Sequence, residues 1–134
     1  MRFGLLLLAA ASASLIAAGA VTGQEAAPSA AAAAGDAEAG KEAFKLSCRG
    51  CHTTVIAPTL RGVAGRKIAS VEGFGGYTAA LRAKGEETWT AASLDAFLKA
   101  PAAFAPGTSM MLSVPDDAAR ADLVAYLLSL EAPS

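Results

Sequence analysis

Cys48-Arg49-Gly50-Cys51-His52 places both cysteines and the only histidine of the chain within five consecutive residues. No other part of the sequence narrows the possible folds as far. C-x-x-C-H is the pattern by which a polypeptide attaches a c-type haem. Two thiols three positions apart at the end of a helix can each add to one vinyl group of a single porphyrin, and the next residue, His52, then lies under the iron. One short segment thereby fixes both the ring and its proximal ligand. Two other chemistries use the same residue types. A dithiol redox centre belongs on a βαβ framework, which the sequence lacks. A closed structural zinc site takes four ligands, and the chain holds no further Cys or His beyond these three. Arg49 and Gly50 add no ligand, and Gly50 is read as easing a tight turn.

The 134 residues fit one folded domain preceded by two segments of different composition. Residues 1–20 carry Arg2 as their only charge, continue through Leu5 to Leu8 into Ala, Ser, Leu and Ile, and end in Ala18-Gly19-Ala20. That is the layout of a secretory signal peptide, with cleavage after Ala20. The competing reading is an uncleaved anchor, because the apolar stretch from Phe3 to Val21 reaches the usual minimum for crossing a bilayer. Residues 21–34 are an Ala-rich linker with Gly, Pro, Ser and Glu and cannot build a core. Behind a retained anchor this linker would be a tether with an extended reach of about 45 Å. Export also suits covalent haem, whose thiols meet the porphyrin outside the cytosol.

Residues 35–134 form the domain. Asp36 is placed to cap a helix over about 36–48, with Ala39, Ala43, Phe44, Leu46 and Ser47 spaced to face inward. Thr53 to Gly76 is Gly-rich and lacks a period, so it reads as loop. A short helix follows from Tyr77 to Lys84. A clearer one spans Thr90 to Ala100, with Leu94, Phe97 and Leu98 on one face, and Pro101 stops it. Pro101 to Pro115 reads as a second loop. The last helix starts near Asp116 and Asp117 and carries Leu123, Val124, Tyr126, Leu127 and Leu130. No run carries strand or hairpin chemistry, so the fold class is all-α. A helical domain of about 100 residues with two long loops is short of core, and something apolar should fill its middle. From Gly35 onward ten Lys and Arg stand against eleven Asp and Glu, a balance that leaves no footprint for nucleic acid.

With these residues in view, the domain resembles the class I c-type cytochromes of bacterial type over about 35–131. Gly35 to Phe44 followed by Cys48 to His52 is similar to the family's N-terminal helix and haem motif. The resemblance implies the small cytochrome c fold, with crossing N- and C-terminal helices and loops wrapped around one haem c attached through Cys48 and Cys51. It places Gly40 and Phe44 against Leu123 and Tyr126. It makes Met110, in Pro106-Gly107-Thr108-Ser109-Met110, the second axial ligand opposite His52, with Met111 as the competing candidate. A thioether is a soft neutral donor, and Met/His ligation raises the potential. The resemblance gives Pro58 the carbonyl that accepts the Nδ1 proton of His52. It brings Arg66 near a haem propionate and has Tyr77 and Trp89 touch the propionates.

Departures from the family pattern are equally specific. Phe97 stands where a tyrosine hydroxyl usually lies near the methionine sulfur, and Leu81 replaces a residue that is often polar. The chain between Met110 and Arg120 is one residue shorter than the commonest form. Ala102, Ala103, Ala105 and Ser109 fill a loop that many relatives line with lysine, leaving Lys99 nearby, so docking should depend less on salt than in a lysine-ringed relative. The expected function is one-electron transport by a periplasmic carrier, a monomer that cycles Fe(II)/Fe(III) between membrane redox complexes, oxidases or dehydrogenases. It would touch the membrane only through a retained N-terminal segment. The expected chain is not an enzyme, since two retained axial ligands close the iron to substrate. The alternatives are a haem subunit of one dehydrogenase or oxidase, or a peroxidase-like haem enzyme with an open sixth position.

Overall fold

Each of the three longer helices begins on a side chain that satisfies its free amides. In α1 (Ala37–Ser47) the Asp36 carboxylate accepts from the amides of Glu38 and Ala39, at 2.9 and 3.3 Å. In α4 (Ala91–Lys99) Thr90 and Ser93 form a reciprocal capping box. In α6 (Asp117–Ser129) Asp116 accepts from the Ala119 amide at 2.8 Å. Such caps contribute about 1 kcal/mol each. Three single turns complete the set: α2 (Arg49–His52), α3 (Ala79–Arg82) and α5 (Pro101–Phe104). The computed structural model describes residues 35–53 and 55–132. The expected signal peptide at 1–20 and linker at 21–34 lie outside the described residues. Among the described residues no strand forms, and one isolated antiparallel bridge pairs Lys67 with Thr88.

α1 crosses α6 at backbone contact. A Cβ added to Gly40 would run into the carbonyl of Asp122, and one added to Gly35 into the carbonyl of Ala121. Backbone atoms cannot swing aside, so glycine is what permits the approach. One turn on, the rings of Phe44 and Tyr126 pack with centroids 5.3 Å apart. The Asp36 amide donates to the Asp122 carboxylate at 2.7 Å and ties the start of α1 to the same helix. The expected pairing of Gly40 and Phe44 with Leu123 and Tyr126 therefore holds, with Gly40 seated on the Asp122–Leu123 peptide. Leu94 and Leu98 of α4 join Phe44, Cys48, Val63, Leu123, Val124 and Leu127 in one core. Burying side chains of this size stabilises by about 1.5–3 kcal/mol each.

Two expectations fail. Leu46 is 87% exposed, and Ala39 and Ser47 are exposed as well. The buried face of α1 runs through Gly40, Phe44 and the following Cys48, four residues apart, and Leu46 sits about 200° around the helix from Phe44. The stretch 101–115 is not all loop, because Pro101 opens α5. Ala100, at φ −153° and ψ 80°, breaks the chain direction, and Pro101 takes the first helical position, where its missing N–H costs nothing.

Candidate functional site

The two irregular stretches, 55–76 and 105–115, face each other across a cavity of about 480 Å³ floored by the helices. That volume is ordinary for a small-molecule or cofactor pocket. Cys48, Cys51, His52, Pro58, Arg66, Tyr77, Trp89 and Met110 all line it, so every site residue expected from the sequence reaches one space. Phe97 and Leu81, the two apolar departures, line it too, as do Phe44, Val63 and Leu94.

Cys48 ends α1 and starts α2, and the extra turn Arg49–His52 carries Cys51 and His52 round to the cavity. Cys48 is buried and Cys51 exposed. Burial first, and then the neighbouring Cys51, push the Cys48 thiol above its ordinary pKa, which holds it protonated at neutral pH. The His52 ring meets the Pro58 carbonyl at 2.8 Å through Nδ1. A carbonyl only accepts, so Nδ1 carries the proton and Nε2 keeps a lone pair for a metal.

A second layer fixes the loop that holds Pro58. The Arg66 guanidinium donates to the carbonyls of Thr59 and Arg61, both at 2.8 Å. Burial lowers its pKa, opposed by Tyr77. Two of its five N–H groups are used in these bonds, leaving donors for an anion at the cavity wall. The Arg66 carbonyl accepts from the Trp89 amide at 2.9 Å, and the Trp89 carbonyl accepts from Gly65 at 2.8 Å. Position thus passes from Trp89 through Arg66 to the partner of His52. The Trp89 ring lies against Phe97 and Phe104, with centroids 5.3 and 5.7 Å away. The Tyr77 hydroxyl accepts from the Val71 amide at 3.3 Å, so its own proton is left to donate.

Thr78 escaped the sequence reading. Its hydroxyl is buried with no hydrogen-bond partner among the described residues, although it stands at the N-cap of α3. An orphaned buried hydroxyl beside Tyr77 calls for a polar group supplied from elsewhere. The cavity itself suits a carboxylate-bearing porphyrin: its lining is largely apolar and includes two cysteines, the His52 imidazole, and the polar groups of Arg66, Tyr77 and Trp89. The residues fit haem c.

Met110 and Met111 separate cleanly. Met110 is half-buried and packs against the core, whereas Met111 is 89% exposed. The turn before them is type II: the Thr108 amide donates to the Ala105 carbonyl at 3.0 Å, with Pro106 second and Gly107 at φ +80° third. The buried Thr108 hydroxyl accepts from the Met110 amide at 3.4 Å.

The Cytochrome c family model matches residues 37–131. The chain belongs to the cytochrome c family. Among its relatives are a cytochrome c of Tetrahymena pyriformis, 43% identical over 72% of this chain and 90% of the relative, and the cytochrome c-type cyt cy of Rhodobacter capsulatus, also 43% identical over 72% of this chain. The match spans half the length of the Rhodobacter protein. Among solved structures, ferricytochrome c2 from Rhodopseudomonas palustris superposes with a TM-score of 0.66 at 34% identity, covering 72% of this chain and 99% of that one. Cytochrome cH from Methylobacterium extorquens superposes with a TM-score of 0.58 at 39% identity, covering 69% and 97%. As a cytochrome c, the chain binds one haem c covalently through Cys48 and Cys51 and serves as a one-electron carrier that meets redox partners, not as an enzyme.

Proposed function

We propose that His52 and Met110 are the two axial ligands of the haem, and that the domain 35–134 works in the periplasm as a freely docking carrier released by cleavage after Ala20. The single observation that carries this reading is the convergence of eight residues, from Cys48 to Met110, on one cavity. His52 supplies Nε2 because Pro58 holds the Nδ1 proton. Met110 supplies a neutral thioether from the loop side. Arg66, Tyr77 and Trp89 take the propionates, whose charge the Arg66 guanidinium balances. Bound there, haem c supplies a one-electron Fe(II)/Fe(III) couple. The chain contributes two ligands that stay in place in both states, and an apolar surround that excludes water, so little reorganises as the electron moves.

Docking follows from the surface. Each of the five lysines, 41, 45, 67, 84 and 99, has a carboxylate of the same chain within 4.0 Å. Ile56, Met111 and Leu112 are exposed and line the cavity, while Ala102 and Ala103 are exposed on the adjoining turn. A partner with an apolar, weakly charged face suits this rim. Among the described residues no helix is long and apolar enough to cross a membrane.

The test is the absorption spectrum of the oxidised holoprotein, read at the weak long-wavelength band that reports thioether sulfur on ferric iron. Replacing Met110 by Leu should abolish the band, and replacing Met111 by Leu should leave it. The opposite pattern would move the ligand to Met111, and its absence from the unmodified protein would reject the reading.

A further inference from the structure

The loop that carries Met110 is fastened at its two ends. At the near end stand the fully buried Ala105 and the type II turn closed by Thr108. At the far end the Val114 amide donates to the Leu98 carbonyl at 2.8 Å, and the carbonyls of Val114 and Pro115 accept from one guanidinium, that of Arg120, at 3.0 and 3.1 Å. Between the fastenings Met111, Leu112 and Ser113 are exposed and make no backbone hydrogen bond to the body among the described residues. Among the described residues Arg120 is the sole buried charged residue, its side chain 5% exposed. Nε donates to Asp95 of α4 at 2.6 Å, and Nη2 donates to Asp117 at the start of α6. Four of its five N–H groups are thereby used, two on carboxylates and two on the loop. The carboxylate bonds alone would join α4 to α6. The carbonyl bonds do something else: they hold the loop to that helix pair.

We propose that Arg120 is the positioning residue for Met110: its fork on Val114 and Pro115 keeps the thioether on the iron against competing donors. The inference rests on the reading of Met110 as the axial ligand. With the fork intact, the loop seldom opens, and an outside ligand binds only in the open fraction. Its apparent affinity therefore rises in proportion to how often the loop opens. A lysine at 120 keeps the positive charge for Asp95 and Asp117 but cannot span two carbonyls with a rigid fork.

The experiment titrates the full-length ferric holoprotein with imidazole, followed by absorption, alongside a thermal melt of each variant. Arg120→Lys should raise the imidazole affinity about tenfold through a larger open fraction. Asp95→Asn, which removes one charge that aims the guanidinium, should raise it about threefold by the same route, and decides the matter if Arg120→Lys does not fold. Asp116→Ala, which takes the cap from α6 without touching the loop, should lower the melting temperature and leave the affinity within about twofold. Met110→Leu should bind imidazole most tightly of all, having no thioether to displace. An Arg120→Lys affinity equal to that of the unmodified protein, or an equal rise in Asp116→Ala, would overturn the role of Arg120 while leaving Met110 as ligand. An unchanged affinity in Met110→Leu would overturn the ligand reading itself, and this proposal with it.

Discussion

The helix crossing and the methionine loop solve opposite problems with opposite means. Where α1 meets α6, glycine removes side chains until two backbones touch, and Phe44 with Tyr126 seals the next turn. Close backbone contact leaves that crossing little room to shift. Between Ala105 and Pro115 the chain is held by a turn, two backbone bonds and the Arg120 fork, while three residues after Met110 stand in solvent. The thioether proposed as a ligand is thus carried by a segment whose local stability can fall well below that of the frame. The contrast pairs a close-packed frame beside the Cys48–His52 segment with a lightly held loop around Met110.

The sharpest way to break the contrast is Gly40→Ala. The added methyl would overlap the Asp122 carbonyl, and separating the helices should cost about 3 kcal/mol or more, read by denaturant unfolding. A loss under about 1 kcal/mol would show that the crossing is not rigid. Next in size is Asp116→Ala, which should cost about 1 kcal/mol of global stability through the lost cap on the Ala119 amide. Ala69→Gly works in the other direction. Ala69 has φ +56°, the sole positive φ outside glycine among the described residues, so glycine there should stabilise by about 0.5 kcal/mol in the same unfolding assay. A destabilised variant would mean that the Ala69 methyl matters more to the cavity wall than its strain.

Acid sharpens the loop side. The Arg120 hydrogen bond first, then the charges of Arg120 and Lys99, hold the Asp117 carboxyl below its ordinary pKa. A carboxyl depressed in the fold adds stability that is complete above its unfolded value, about 3.9, and is lost as pH falls through the lower folded value. Melting temperature should therefore fall more steeply below about pH 4 in the unmodified protein than in Asp117→Asn. The smallest expected effect is that of salt on docking. Raising ionic strength shortens the Debye length from about 10 Å at 0.1 M to about 3 Å at 1 M. Electron transfer to a redox partner should change by less than about threefold over that range, since each lysine already has a carboxylate neighbour.

The frame was readable from the sequence because its signals are local. Asp36, Thr90 and Asp116 each announce a helix within four residues, and C-x-x-C-H needs no context beyond itself. Three of the eight expected positions follow from C-x-x-C-H and five from the family resemblance, and all eight line one cavity. What escaped depends on partners distant in the chain. Arg120 reads as a surface charge on α6 until Asp95, 25 residues earlier, is seen beside it. Thr78 lies inside the helix expected from Tyr77 to Lys84, and only the structure puts it at the N-cap of α3 with its hydroxyl buried and without a capping bond. The turns α2 and α5 have four residues each, too few to display a period. Leu46 is expected inward with Ala39, Ala43, Phe44 and Ser47 by spacing, but the buried face follows the four-residue spacing of Gly40, Phe44 and Cys48 instead.

The central claim is that His52 and Met110 hold one haem between them. Proton NMR of the reduced holoprotein, labelled with carbon-13 at the methionine methyls, tests it most directly. A methyl lying over a porphyrin face is carried far upfield by the ring current. The account predicts one such methyl, lost in Met110→Leu and retained in Met111→Leu. An unshifted pair of methyls, or a shifted one that survives in Met110→Leu, would contradict it.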